Sequence, residues 1–182
     1  MKETISVAGR KCDIFYKETE TITTLLLQPL GEHELLGIER EYEQIQTSAK
    51  KGFMLAAFRV YDWNGELSPW QAPAVFREQK FAGLGQATLQ DILEKILPEV
   101  LARYHLSEEM PVILGGYSLA GLFALWAAYQ TNRFQKIAAV SPSVWFPGWL
   151  EYIKDRSIQT QAVYLSPVSY THLRAHETRH DL

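Results

Sequence analysis

The segment Gly116-Tyr117-Ser118-Leu119-Ala120-Gly121 places a hydroxyl among small residues, directly after an apolar run and directly before a helix-forming one. In a strand–turn–helix context this arrangement lifts a seryl Oγ to the carboxyl end of a sheet and the head of a helix, where it can attack an electrophilic carbon. The turn is sharp, so its flanking positions must be small. Gly116 meets that demand, Ala120 stands where a second glycine is usual, and Gly121 follows. The same letters also suit an inert glycine-bearing turn. The run Val112-Ile113-Leu114 before it, which reads as a buried strand, and the apolar helix after it favour the nucleophile.

A seryl nucleophile needs a base, and five histidines are available. His33 lies at the start of a helix and reads as a loop or capping residue. His105 closes another helix, where its charge would interact with the C-terminal dipole. His172, His176 and His180 lie close to the C-terminus. His176-Glu177-Thr178-Arg179-His180 satisfies H-E-x-x-H in form, yet it lies in polar sequence with no apolar stripe and no third ligand, so no metal is assigned to it. No P-loop or dinucleotide fingerprint is present, and the sequence implies no cofactor.

The elements that would position Ser118 follow from hydrophobic periodicity. Residues 4–7 and 12–16 are β-prone runs around Ala8-Gly9-Arg10 and predict a hairpin. Residues 22–27 read as a strand running into a turn at Gln28-Pro29-Leu30-Gly31. Leu35, Ile38, Tyr42, Ile45 and Ala49 then recur at helical spacing, with Lys50, Lys51 and Gly52 closing the helix. Residues 52–60 form the next buried strand. The stretch 61–76, rich in turn formers and aromatics, reads as a loop leaving a strand end; Trp63 and Trp70 either wall a pocket beside Ser118 or pin the loop to the surface. From Leu89 to Tyr104 runs an amphipathic stripe that Pro98 should kink or split. Residues 119–129 are apolar nearly all round, as in a helix buried against a sheet. A strand at 137–140, an aromatic loop containing Trp145 and Trp149, a helix at 149–155 and a strand at 162–165 complete the series. Such βα alternation predicts a mostly parallel sheet covered on both faces.

Composition sets outer bounds. The 182 residues, 47% hydrophobic and 21% charged, suit one globular domain with a sizeable core. A net charge of −3 offers no footprint for nucleic acid or an anionic membrane. The single Cys12 rules out an intrachain disulfide and fits a reducing compartment. The N-terminus lacks the apolar core of a signal peptide, and no run approaches the ~20 apolar residues of a membrane span. A cytoplasmic protein is expected, with its oligomeric state left open.

Three stretches carry a family resemblance: GGYSLAGLFALWA around Ser118, KIAAVSPSVWFPGWLEY after it, and the DWNGELSPWQAPAVF loop. From about residue 22 to 165 the chain resembles an α/β-hydrolase, and within that fold the esterase D and enterochelin-esterase-like group. The resemblance implies a serine esterase acting on a small-molecule ester. Ser118 would attack the carbonyl and form an acyl-enzyme that water, or an alcohol in an acyltransferase, then takes up. It further implies an oxyanion held by backbone N–H groups. One is that of Leu119; the other comes from the loop at Gln28–Gly31, where Pro29 has no N–H and Leu30 is the expected donor. Trp63, Trp70, Trp145 and Trp149 would supply an apolar or aromatic substrate pocket.

The resemblance breaks at the C-terminus. In this fold the acid follows the strand that ends near Leu165, and the histidine follows one strand more. Instead residues 168–178 read VSYTHLRAHET, which resembles the translation of a transposon-end sequencing adapter. The expectation is therefore an incomplete α/β-hydrolase domain at 1–166, lacking its C-terminal strand and catalytic loops, and a non-native, disordered tail at 167–182. This chain is expected to show little esterase activity, and the strand at 162–165 is expected to be an unprotected edge. The alternative is a non-catalytic binding module on the same fold.

Overall fold

Side-chain alternation along one central strand, β3 (Ile22–Leu30), divides the molecule into two halves. Leu25 and Leu27 face the larger apolar core, with Met54, Phe58, Leu114, Leu122 and Phe123. Leu26 and Leu30 face a smaller one, with Phe15, Ile38, Tyr42, Phe53 and Leu55. The computed structural model describes residues 1–74 and 80–166; the expected disordered tail and its three histidines lie outside the described residues.

Seven strands form one sheet in the order β1 (Lys2–Val7), β2 (Arg10–Phe15), β4 (Gly52–Arg59), β3, β7 (Val112–Tyr117), β8 (Lys136–Val140) and β9 (Ala162–Ser166). β1 and β2 are the expected hairpin, and β2 pairs antiparallel with β4. From β4 onward every pairing is parallel, through β3, β7, β8 and β9. One helix, α1 (Ile38–Ser48), covers the smaller core. On the opposite face lie α3 (Gly85–Asp91), a π-helical turn (Ile92–Ile96), α4 (Leu97–Arg103) and α5 (Leu119–Gln130). Between β4 and α3 come the short helix α2 (Trp63–Glu66) and the two-stranded pair β5 (Gln71–Ala72) and β6 (Phe81–Ala82), where a loop was expected. The helix α6 (Trp149–Ile153) precedes β9.

Three expectations change. β3 does not turn at Gln28 but continues through Pro29 to Leu30. Its pairing with β7 stops at Leu27, so the missing N–H of Pro29 costs no ladder bond there, while Leu30 stays paired with Arg59 of β4. Gly52 does not cap α1: the helix ends at Ser48 with Ala49 already extended, and Gly52 opens β4. A Cβ there would sit 2.4 Å from the Thr21 carbonyl oxygen, so close backbone passage is what requires glycine. Pro98 does not end the helical run, and the expected interruption takes the form of a π turn. The chain widens into the π turn just before it, with the Leu97 N–H reaching the Ile92 carbonyl, a local rewinding that absorbs a prolyl residue without an N–H.

β9 forms the edge of the sheet among the described residues, and Tyr164 and Leu165 are more than half exposed. No helix is long and apolar enough to cross a membrane among the described residues.

Candidate active site

Ser118 joins β7 to α5 with φ 55° and ψ −117°, a left-handed conformation that a seryl residue rarely adopts. Such a backbone costs about 1–3 kcal/mol and persists only where its surroundings over-determine it. Here they do. The Ser118 N–H donates to the Val140 carbonyl (3.0 Å), while its own carbonyl accepts from Leu122 N–H (3.1 Å) and Ser143 N–H (3.0 Å). Gly116 lies so close to α5 that a Cβ would meet the Ala120 carbonyl carbon and oxygen at 2.5 Å. Gly121 is hemmed in by Pro142, 3.2 Å from where its Cβ would be. The small residues of the motif are thus required by contact between strand, turn and helix.

The Ser118 hydroxyl lies 3.2 Å from the Ser143 hydroxyl, its hydrogen-bond partner among the described residues. Leu119 is the first residue of α5, so its N–H is a helix-end donor without an intrahelical acceptor, as an oxyanion ligand must be. Leu30 is placed differently from expectation. Its side chain is fully buried, and its carbonyl accepts from Val60 N–H beside β4. Backbone groups of one residue point to the same side of a strand. The Leu30 N–H therefore faces β4, away from β7 and Ser118, and does not fit the oxyanion role. The next N–H, that of Gly31, donates to the Glu34 carboxylate (3.0 Å).

The four tryptophans do not share one pocket. Trp149 is 3% exposed and stacks on Tyr152 within the core. The Trp70 indole N–H donates to the Pro147 carbonyl (2.9 Å), and its ring packs on Phe146 and Tyr152, tying the segment before β5 to the loop after β8. Trp145 is half exposed, 6.3 Å from the Phe81 ring. Trp63 sits apart, edge-on to His33 at 4.7 Å. Packing therefore occupies Trp70 and Trp149, whereas Trp63 lines a groove with Gly31, His33 and Tyr61.

Neither described histidine hydrogen-bonds Ser118. His33 is exposed beside Trp63, and His105 follows α4 at φ 52° with its N–H on the Ala102 carbonyl, the helix-end position expected of it. A trough of about 690 Å³ runs along the α1 face of the sheet, lined by Leu26, Gln28, Ile113, Tyr117, Val140 and Tyr164. Two carboxyls at its α1 side, Glu34 and Glu41, are held above the usual carboxylate range by burial. The Gly31 N–H on Glu34 and the Gln28 amide on Glu41 only partly oppose this.

The fold accords with comparisons to known proteins. The family model described as "Putative esterase" matches residues 17–181. The chain belongs to this esterase family. Its fold is that of α/β-hydrolase-like esterases of known structure. It is similar to an IroE-like serine hydrolase from Shewanella oneidensis (TM-score 0.69, 15% identity, 85% of this chain and 55% of that one). The siderophore hydrolase EstA from Aspergillus nidulans gives TM-score 0.68 and 17% identity over 93% of this chain and 69% of that one. The enterochelin esterase from Shigella flexneri gives 0.64 and 16% over 91% and 44%. The chain thus spans only about half of the Shewanella protein's length. No curated protein matches.

Proposed function

We propose that this chain carries the nucleophile half of a serine esterase, with Ser118 as the attacking group. The strained conformation of Ser118 at the junction of β7 and α5 carries the reading. In the full-length enzyme a histidine that this chain does not supply would take the Ser118 proton as Oγ adds to the ester carbonyl. The Leu119 N–H would bond the oxyanion, a contribution typically worth about 3 kcal/mol. Collapse of the tetrahedral adduct expels the alcohol and leaves an acyl-Ser118 that water hydrolyses. The substrate is a small-molecule ester; the activities named for the similar structures make siderophore esters the first to try. Membership of the esterase family supports the reaction class.

We further propose that residues 1–166 are the native part of an incomplete α/β-hydrolase domain and that 167–182 derive from adapter sequence, which leaves this chain without its base and nearly inactive. The lone buried Cys12 is the ground for retaining a cytoplasmic location. Resequencing the source DNA across codons 160–182 tests the boundary. A frame continuing into an acid and then a histidine supports it, and that longer protein should hydrolyse p-nitrophenyl butyrate in a manner abolished by Ser118→Ala. A genomically encoded tail would instead favour the non-catalytic binding module.

A further inference from the structure

We infer that Ser143, on the loop after β8, is a positioning residue that holds the Ser118 hydroxyl in its reactive orientation; the inference rests on the esterase reading above. Ser143 is 2% exposed, and its Oγ lies 3.2 Å from Ser118 Oγ, its partner among the described residues. The same residue donates its N–H to the Ser118 carbonyl. Ser143 thus grips the nucleophile by main chain and side chain together. The loop presenting it is itself constrained: Ser141 has φ 45°, and Pro142 abuts Gly121 of α5. A buried hydroxyl so fixed has little freedom to leave.

The hydroxyl pair can be bonded in two directions. If Ser118 donated to Ser143, its proton would be turned away from any base. If Ser143 donates, a lone pair of Ser118 Oγ is engaged, the rotamer is fixed, and the Ser118 proton stays free for removal. Only the second arrangement is competent for attack. As the base takes that proton, negative charge grows on Ser118 Oγ and the Ser143 O–H bond becomes charge-assisted, hence stronger in the transition state than at rest. Ser143 keeps its own proton throughout; the only proton transferred is that of Ser118.

The test follows acylation of the 182-residue chain by p-nitrophenyl acetate, read by tandem mass spectrometry as acetyl on the side chain at position 118 or its immediate neighbours, with imidazole supplied as external base. Ser118→Ala should take up no acyl group there. Ser143→Ala should be acylated roughly 10–100-fold more slowly, the range expected for losing a hydrogen bond to a charged oxygen. Ser143→Thr, which keeps the hydroxyl, should recover most of that rate, with the melting temperatures of both variants near that of the parent. Acylation of Ser143→Ala within twofold of the parent overturns the positioning role while leaving Ser118 as nucleophile. Equal slowing in the Ala and Thr variants with a shared fall in melting temperature also overturns it, since that is the mark of a packing role. Labelling there that survives Ser118→Ala overturns the esterase reading and this inference with it.

Discussion

Replacing Gly116 by alanine should displace the turn that carries Ser118, whereas the same change at the neighbouring Gly115 should be nearly silent. A Cβ at Gly116 would lie 2.5, 2.5 and 2.7 Å from the carbonyl carbon, carbonyl oxygen and Cβ of Ala120. Two of those atoms are helix backbone, which cannot swing aside, so β7 and α5 must separate or the turn must reshape. Overpacking of this kind typically costs about 1–3 kcal/mol. At about 2–4 °C per kcal/mol for a domain of this size, Gly116→Ala should lower the melting temperature by about 2–12 °C. At Gly115 the nearest atom is the flexible end of Leu26, at 3.2 Å, on the other face of the sheet. That methyl group can give way, and the reduced freedom of the unfolded chain offers a gain of about 0.4–1 kcal/mol. Thermal unfolding followed by circular dichroism separates the two variants. A Gly116→Ala melting temperature equal to that of Gly115→Ala would refute the claim that contact with α5 selects glycine.

Three more outcomes follow from the structure. Burial holds the Glu41 carboxyl above its ordinary value, so the folded state binds more protons than the unfolded one between the two values and stability falls as pH rises through that window; Glu41→Gln should melt higher than the parent at pH 7, with the gap closing in acid, and a gap constant with pH contradicts this. The Cys12 thiol is fully buried and pushed up to about 12 by desolvation first, then by the nearby Asp13 charge; iodoacetamide should fail to label it at pH 8 until denaturant unfolds the chain, and rapid native labelling would show the core open. The β9 edge exposes Val163, Tyr164 and Leu165 with no charge among them, so the chain should self-associate with concentration in light scattering and Val163→Lys should suppress it; a monodisperse parent monomer would argue against an open edge.

The parallel sheet, the hairpin and the order of helices were legible because each strand and each stripe repeats with its own period. The tight turn at Ser118 was legible because its steric demand is written in small residues at fixed spacing. Other features depend on neighbours distant in the chain. That β3 runs on past Pro29 depends on where β7 stops pairing, which no local signal states. Leu30 lost its expected role for the same reason: strand pairing, not loop position, decides where its N–H points. Ser143 was not legible because its place beside Ser118 arises only when the turn after β8 folds over the turn after β7. The place of the tryptophans was not legible because bulk and polarity alike suit a pocket wall or a core. Only the contacts of Trp70 and Trp149 show that packing claims them.

The central claim is that Ser118 is the reactive hydroxyl of this fold, and site mapping of a covalent adduct tests it most directly. The protein would be treated with a fluorophosphonate in the presence of imidazole, digested, and its modified peptides sequenced by tandem mass spectrometry. The account predicts a single adduct, on Ser118, absent from Ser118→Ala and from denatured protein. Adducts scattered over surface serines and tyrosines, or an adduct confined to any other residue, would contradict it.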